Sequence, residues 1–287
     1  MEILCLIPAR SGSKGIPDKN IKNLVNKPLL AWSIEQAQNS KYKMRIIVST
    51  DSEEYGNIAK KYGAEVPFLR PSEIAQDLST DLEFIEHSLK YLEDNENYIP
   101  DFIVQLRPTY PTRKVETLDD TIKTFIEKRG EYDSLRTVFP IEKSPFKMYT
   151  LNGNNLEPLF RTLGDINEPY NQCRQNLPTA YLHNGYIDIL NTNIVKNKLI
   201  SGERIYGYVM STEEYHESLF KYHCRYTQMH PGGSHHETYG IYITAESKEE
   251  AELLLRKIRP KALQVWVYEG IQVYAHAEKT MVPIASW

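Results

Sequence analysis

Three short stretches concentrate the residue types that handle phosphate and carboxylate groups. The first is Ile7-Pro8-Ala9-Arg10-Ser11-Gly12-Ser13-Lys14-Gly15-Ile16-Pro17-Asp18-Lys19-Asn20, directly behind the first apolar run of the chain. Gly12 and Gly15 let a backbone approach a ligand and turn its N–H groups inward. Arg10, Lys14 and Lys19 bring three positive charges into ten residues. Such a loop suits a polyphosphate. It is neither GxxxxGK[ST] nor GxGxxG, and composition alone would equally describe a solvated basic turn. The second stretch is Gln105-Leu106-Arg107-Pro108-Thr109-Tyr110-Pro111-Thr112-Arg113. Two prolines stiffen it, and Arg107 and Arg113 offer forked donors for a carboxylate or phosphate. Taken alone it reads more simply as a rigid turn with surface arginines. The third runs from Arg174 to Gly185, with Arg174 and Asn184 flanking a strand entry; alone it is weak.

The elements that must position these residues follow from periodicity. Ile3–Ile7 is a continuous apolar run, suited to a strand buried on both faces. Leu29–Gln38 follows Pro28 and puts Leu30, Ile34 and Ala37 on one helical face. Arg45–Ser49 reads as a strand, and Asp51 with Glu54 as the start of a helix that Gly63 ends. Glu65–Leu69 reads as a short strand. Thr80 and Glu83 form a capping box for a helix with Leu82, Ile85, Leu89 and Leu92 inward. Phe102–Leu106, a helix over Val115–Lys128 and a strand over Ser134–Phe139 complete the series. Alternation of this kind predicts an α/β fold with a mostly parallel, helix-covered sheet. Ligands then sit at the carboxyl ends of strands, in the loops after Ile7, Ser49 and Leu106.

Composition bounds the partners. The chain has 287 residues, with 34 Lys+Arg against 38 Asp+Glu. A net charge of −4 disfavours duplex nucleic acid and a polybasic membrane anchor, so any anion site must be local. Cys5, Cys173 and Cys224 form no CxxC; so few thiols fit a reducing compartment. The first apolar run is too short for a secretory signal, and no run reaches the length of a membrane helix. The cytoplasm is the expected location.

In order and wording, these stretches resemble the acylneuraminate cytidylyltransferase family, the synthetases of CMP-sialic acid and of related bacterial CMP-nonulosonic acids. The matches are Ala9–Asn20, Ile47–Asp51, Arg70–Asp77, Pro108–Arg113, Pro145–Lys147, Arg174–Pro178 and Asn184–Gly185. They span about residues 2–212. The resemblance implies a Rossmann-like nucleotidyltransferase fold and attack of a 2-keto sugar acid's anomeric hydroxyl on the α-phosphorus of CTP. The products would be a CMP-sugar and pyrophosphate. It implies that Arg10, Ser13, Lys14, Lys19 and Asn20 hold the triphosphate, with Arg10 and Lys19 catalytic. It implies that Arg70, Asp77 and Thr80 line the nucleotide pocket. Arg107, Lys147, Arg174, Asn184 and Asp188 would serve the sugar. The irregular segment at about 140–185 would join two copies in a homodimer.

Three departures from the family pattern stand out. Arg107 takes a place often held by Gln, and Asp188 one often held by Tyr, which leaves the sugar open. The family's magnesium-binding Asp-Ile-Asp aligns here with Glu217, Ser218 and Leu219, so Glu217 is the expected metal ligand for Mg2+. Other expectations follow: another base or sugar, or a relative that binds without turnover, remain open as alternatives. His216, His223, His230, His235 and His236 cluster with Cys224, but the spacings match no zinc pattern. Residues 1–220 are expected to form the nucleotidyltransferase domain. Residues 221–287 are expected to form a small α+β extension: a strand at Tyr239–Thr244, a helix at Ser247–Ile258, then a hairpin at Ala262–Tyr268 and Ile271–Ala275.

Overall fold

The computed structural model describes residues 1–12, 17–24 and 26–210, together with the backbone of three strands farther on. A six-stranded sheet organises the main body. In chain order its strands are β1 (Ile3–Pro8), β2 (Arg45–Ser49), β3 (Phe102–Gln105), β4 (Ser134–Pro140), β5 (Tyr181–Asn191) and β6 (Ile205–Val209). Their spatial order is β6-β4-β5-β3-β1-β2. β1 pairs in parallel with β2 and β3, and β6 in parallel with β4, whereas β5 runs antiparallel to both β3 and β4. The mostly parallel sheet is therefore as expected.

Helices cover both faces. α1 (Leu29–Gln38) starts after Pro28, and its Leu30, Ile34 and Ala37 are buried with Ile3, Cys5 and Ile7 of β1. α4 (Val115–Lys128) joins the same side through Leu118, Ile122 and Phe125. Leu4 and Leu6, pointing the other way from β1, pack with Phe84, Ile85 and Leu92 of α3 (Asp81–Glu96) and Ile194 of α5 (Thr192–Lys196). A strand buried on both faces needs the unbroken apolar run that β1 has. The chain goes from β1 to one side, β2, and from β3 to the other, so a crevice opens beyond the carboxyl ends of β1 and β3.

The structure corrects two local expectations. Glu65–Leu69 is not a strand: Glu65 makes one parallel bridge to Ile47, and Pro67, which lacks an N–H, stops the ladder. The cap of α2 (Glu53–Lys61) is Ser52, which accepts from the Tyr55 N–H at 3.4 Å, because the Asp51 carboxylate is engaged by Ser11.

Between β4 and β5 the chain makes two small hairpins, Tyr149–Asn152 with Asn155–Pro158 and Thr162–Leu163 with Ile166–Asn167. Leu151, Leu156, Leu159 and Phe160 are exposed there. In the extension, a three-stranded antiparallel sheet has Tyr222–Met229 between His236–Ile243 and Gln264–Glu269. The strand expected at Tyr239–Thr244 thus begins three residues earlier, and part of the His-rich stretch is itself a strand. The expected helix at Ser247–Ile258 and second hairpin strand lie outside the described residues.

Candidate active site

The turn after β1 is tied to its neighbours by side chains. Ala9 donates its N–H to the Ser49 carbonyl at 3.0 Å, which continues the β1–β2 pairing past the strand end. The Asp51 carboxylate accepts from the Ser11 N–H at 2.7 Å and from its hydroxyl at 2.6 Å. Gly12 follows with φ +67, a left-handed conformation that suits glycine. Asn20, buried, donates to the Arg10 carbonyl at 3.0 Å and so holds the far end of the loop against its start. Arg10 pairs with Asp77 at 2.9 Å, with both side chains about one-third exposed. Arg10, Asn20 and Asp77 are thus brought together. Lys19 starts a short helical turn, Lys19–Ile21, beside them. Ser13 and Lys14 lie outside the described residues.

Arg70 is buried rather than facing an open pocket. It donates to the Ser49 hydroxyl at 3.1 Å and carbonyl at 2.8 Å, and lies over the Phe84 ring. Burial pulls its guanidinium down to about 10, against the nearby charges of Asp51 and Asp81. Thr80 caps α3 in a reciprocal box with Glu83, as predicted.

The 105–113 loop is held by Arg113, which is 3% exposed and no surface arginine. Its guanidinium donates to the Tyr186 carbonyl at 2.8 Å, Gln36 Oε1 at 2.6 Å, Ser33 Oγ at 3.2 Å and the Arg107 carbonyl at 2.9 Å. Burial lowers it to about 10. All its named partners are neutral oxygens, so it acts as a hub fixing loop, α1 and β5 together.

Arg107 then projects from a fixed backbone. It pairs with Asp81 at 2.5 Å and with Asp188. Gln105 donates to the same Asp81 oxygen at 3.0 Å. The second Asp188 oxygen lies 2.7 Å from His183 Nε2. Burial works to lower Arg107, and its two carboxylates outweigh that and raise it. Burial works to raise Asp188, and His183 with Arg107 outweighs that and holds its carboxyl below the usual range. The β5 bulge between His183 and Asp188 makes room for this cluster. Gly185 sits in it at φ +69, and a Cβ there would lie 3.2 Å from Arg107 Nη1. Asn184 supports the bulge: it accepts from Thr137 at 2.7 Å and from the Tyr186 N–H at 3.0 Å, while its amide donates to the Met210 sulfur.

Lys147 and Arg174 lie on separate short turns in the exposed segment between β4 and β5. Among the described residues no hydrogen bond or ion pair joins either to the Arg107 cluster. Glu217 lies outside the described residues. Sequence reasoning missed Asp51, Asp81, Gln105 and His183 as site residues; Asp51, Gln105 and His183 stand inside the motif stretches, and only the fold reveals their partners. A cavity of about 700 Å³ lies elsewhere, between α3 and α5, lined by a mixture of acids and lysines such as Glu86, Glu93, Lys90 and Lys196. The crevice at the strand ends carries the converging arginines, so we take it as the site.

The family model for cytidylyltransferases matches residues 4–178. The N-acylneuraminate cytidylyltransferase of Escherichia coli is 34% identical over 213 residues, 74% of this chain and 48% of its own length. The chain therefore spans about half of that relative. The pseudaminic acid cytidylyltransferase of Campylobacter jejuni is 34% identical over 183 residues, covering 63% of this chain and 75% of its own. A solved CMP:2-keto-3-deoxy-manno-octonic acid synthetase complexed with CTP has the same fold, with a TM-score of 0.53 at 14% identity over 74% of this chain and 91% of its own. The family model covers more than half of the chain, and these likenesses agree with it: the chain belongs to the cytidylyltransferase family.

Proposed function

We propose that the protein transfers a cytidylyl group from CTP to a nonulosonic acid. The anomeric hydroxyl of the 2-keto sugar acid attacks the α-phosphorus and releases its proton to solvent, a C–O–P link forms, and pyrophosphate leaves with the electrons of the broken P–O bond. The observation that carries the reading is the convergence of Arg10, Asn20 and Asp77 behind β1 with the Arg107 cluster behind β3. The names of the relatives support the substrates. Little covalent work falls to the protein in such a transfer; positioning and charge neutralisation supply the rate. In this reading Arg10, Lys19, Ser13, Lys14 and Asn20 bind the triphosphate. Thr80 and Asp77 border the nucleotide, and Arg70 fixes the β2 end beneath it. The sugar acid lies toward β5. Incubation with CTP and a panel of 2-keto sugar acids, with products identified by mass spectrometry, tests it; no CMP-sugar from any of them would refute it.

Magnesium belongs to the proposal, since a divalent ion neutralises charge on phosphoryl oxygens. The described carboxylates near the loop fit it poorly. Both Asp51 oxygens are taken by Ser11, Asp77 faces Arg10, and no three His, Cys, Asp or Glu side chains converge among the described residues. Glu217 is retained as the proposed ligand, with phosphate oxygens as the ion's main partners, and no step is routed through it.

We also propose a homodimer joined through residues 140–185, supported by the exposed Leu151, Leu156, Leu159 and Phe160. Light scattering that finds an active monomer would contradict it. Among the described residues no helix is long and apolar enough to cross a membrane; a cytoplasmic location and a separable extension from residue 221 complete the proposal.

A further inference from the structure

We propose that Tyr55 holds the Asp18 carboxylate away from Lys19 and from the bound triphosphate, and so acts as a positioning residue for the turn after β1. The inference rests on the reading that this turn binds CTP. It accounts for an acid standing beside the last lysine of a loop that must receive a polyanion.

Asp18 and Lys19 are neighbours in the chain. Asp18 takes a left-handed backbone, φ 54 and ψ 30, and its carbonyl accepts from the Ile21 N–H at 3.0 Å and the Lys22 N–H at 3.1 Å. The short turn over Lys19–Ile21 therefore hangs on the Asp18 backbone. The Asp18 side chain goes to a different element. Tyr55, in the first turn of α2, donates its hydroxyl to Asp18 Oδ1 at 3.0 Å. The tyrosine is 2% exposed and packs in the main core, so its hydroxyl is a fixed point. Burial first, and then the Asp18 carboxylate, hold the phenol above its ordinary range, so it keeps its proton and donates at neutral pH.

Charge decides what the contact does. Arg10 is paired with Asp77, but among the described residues Lys19 Nζ makes no hydrogen bond or ion pair. Its ammonium is uncommitted, and the adjacent carboxylate is its nearest competitor along the chain. A carboxylate released by Tyr55 would turn to that ammonium or face the phosphate oxygens, and either weakens the hold on a triphosphate. A hydroxyl on a buried ring restrains the acid without adding a charge. The other acid bordering the loop is treated in the same way: both Asp51 oxygens are taken by Ser11, through its N–H and its hydroxyl. Neutral donors thus occupy the acids at both ends of the loop and leave Lys19 to the ligand.

The test is calorimetric titration of the full chain with CTP and magnesium, with folding checked by circular dichroism. Tyr55→Phe keeps the buried ring and removes only the donor. We expect its Kd for CTP to rise about three- to tenfold, the range for one partly solvated charge turned against a polyanion. Asp18→Asn alone should bind CTP within about twofold of wild type. The double variant Tyr55→Phe/Asp18→Asn should return to that level, because the carboxylate that Tyr55 restrains is gone. In turnover the same pattern should appear in the KM for CTP, with the sugar KM within about twofold. A wild type that binds CTP, beside a Tyr55→Phe variant of unchanged Kd, overturns this inference alone. So does a loss in Tyr55→Phe that Asp18→Asn fails to recover, which would make the contact a structural anchor only. A wild type that does not bind CTP overturns the proposed function and this inference with it.

Discussion

Arg107 and Asp188 stand 81 positions apart in the chain and form an ion pair at the carboxyl edge of the sheet. They are also two of the positions at which the sequence departs from its family's pattern. The departures are one physical unit, because the half-buried guanidinium and the nearly buried carboxylate neutralise each other. Removing Arg107 leaves the nearly buried Asp188 carboxylate with His183 alone, and removing Asp188 leaves the half-buried guanidinium with Asp81 alone, so removing both costs less than the sum of the two losses. A double-mutant cycle of Arg107→Gln and Asp188→Asn, read by urea unfolding, should give a coupling above about 1 kcal/mol. Additive losses would mean that the pair is incidental.

The same aspartate gives stability an acid limb. Its folded carboxyl titrates below its unfolded value. Its contribution is therefore complete above the ordinary aspartate range, about pH 4, and is lost as pH falls through the folded value. Asp188→Asn should flatten the stability curve below about pH 4 relative to wild type. A variant whose curve runs parallel to wild type across that limb would count against the shift.

Arg113 is the larger structural commitment. Arg113→Met leaves the Gln36 amide oxygen and the carbonyls of Tyr186 and Arg107 without their donor, at about 1–3 kcal/mol for each group left unsatisfied. We expect at least about 3 kcal/mol of lost stability, or roughly 6–12 °C in Tm. A shift under about 2 °C would show that water or a neighbour replaces the fork.

How much of this was legible beforehand differs by level. Strand and helix bounds from Ile3 to Phe139 followed from apolar periodicity, and Arg45–Ser49 and Val115–Lys128 match residue for residue. The segment over Glu65–Leu69 misled because β-branched and aromatic residues suggest a strand while Pro67 forbids the ladder. The roles of the arginines were not legible. Arg107 and Arg113 differ by six positions in one loop, yet one is a hub in the core and the other faces the site. That difference is set by Gln36 and Tyr186, contributed from distant segments. The Asp188–His183 contact depends likewise on a bulge that no period of two or 3.6 announces.

The turn after β1 should carry the nucleotide. Arg10→Ala and Lys19→Ala each remove a charge-assisted contact to a phosphoryl oxygen, and losing one such contact costs about 10²–10³ in rate. Arg10→Ala also removes the ion pair with Asp77, so Arg10→Lys, which keeps the charge, should recover part of the activity. Near-normal turnover in both alanine variants, with folding intact by circular dichroism, would remove the loop from the chemistry.

Phosphorus NMR of a single reaction distinguishes cytidylyl transfer from every other use of CTP. With CTP, magnesium and a nonulosonic acid, the three triphosphate signals should give way to a pyrophosphate resonance and a phosphodiester resonance of half its intensity, only when the sugar acid is present. Chelation of the metal should stop the conversion, and Glu217→Gln should raise the magnesium needed for half-maximal rate. CTP left unchanged beside every sugar acid, or converted to CDP and inorganic phosphate, would contradict cytidylyl transfer.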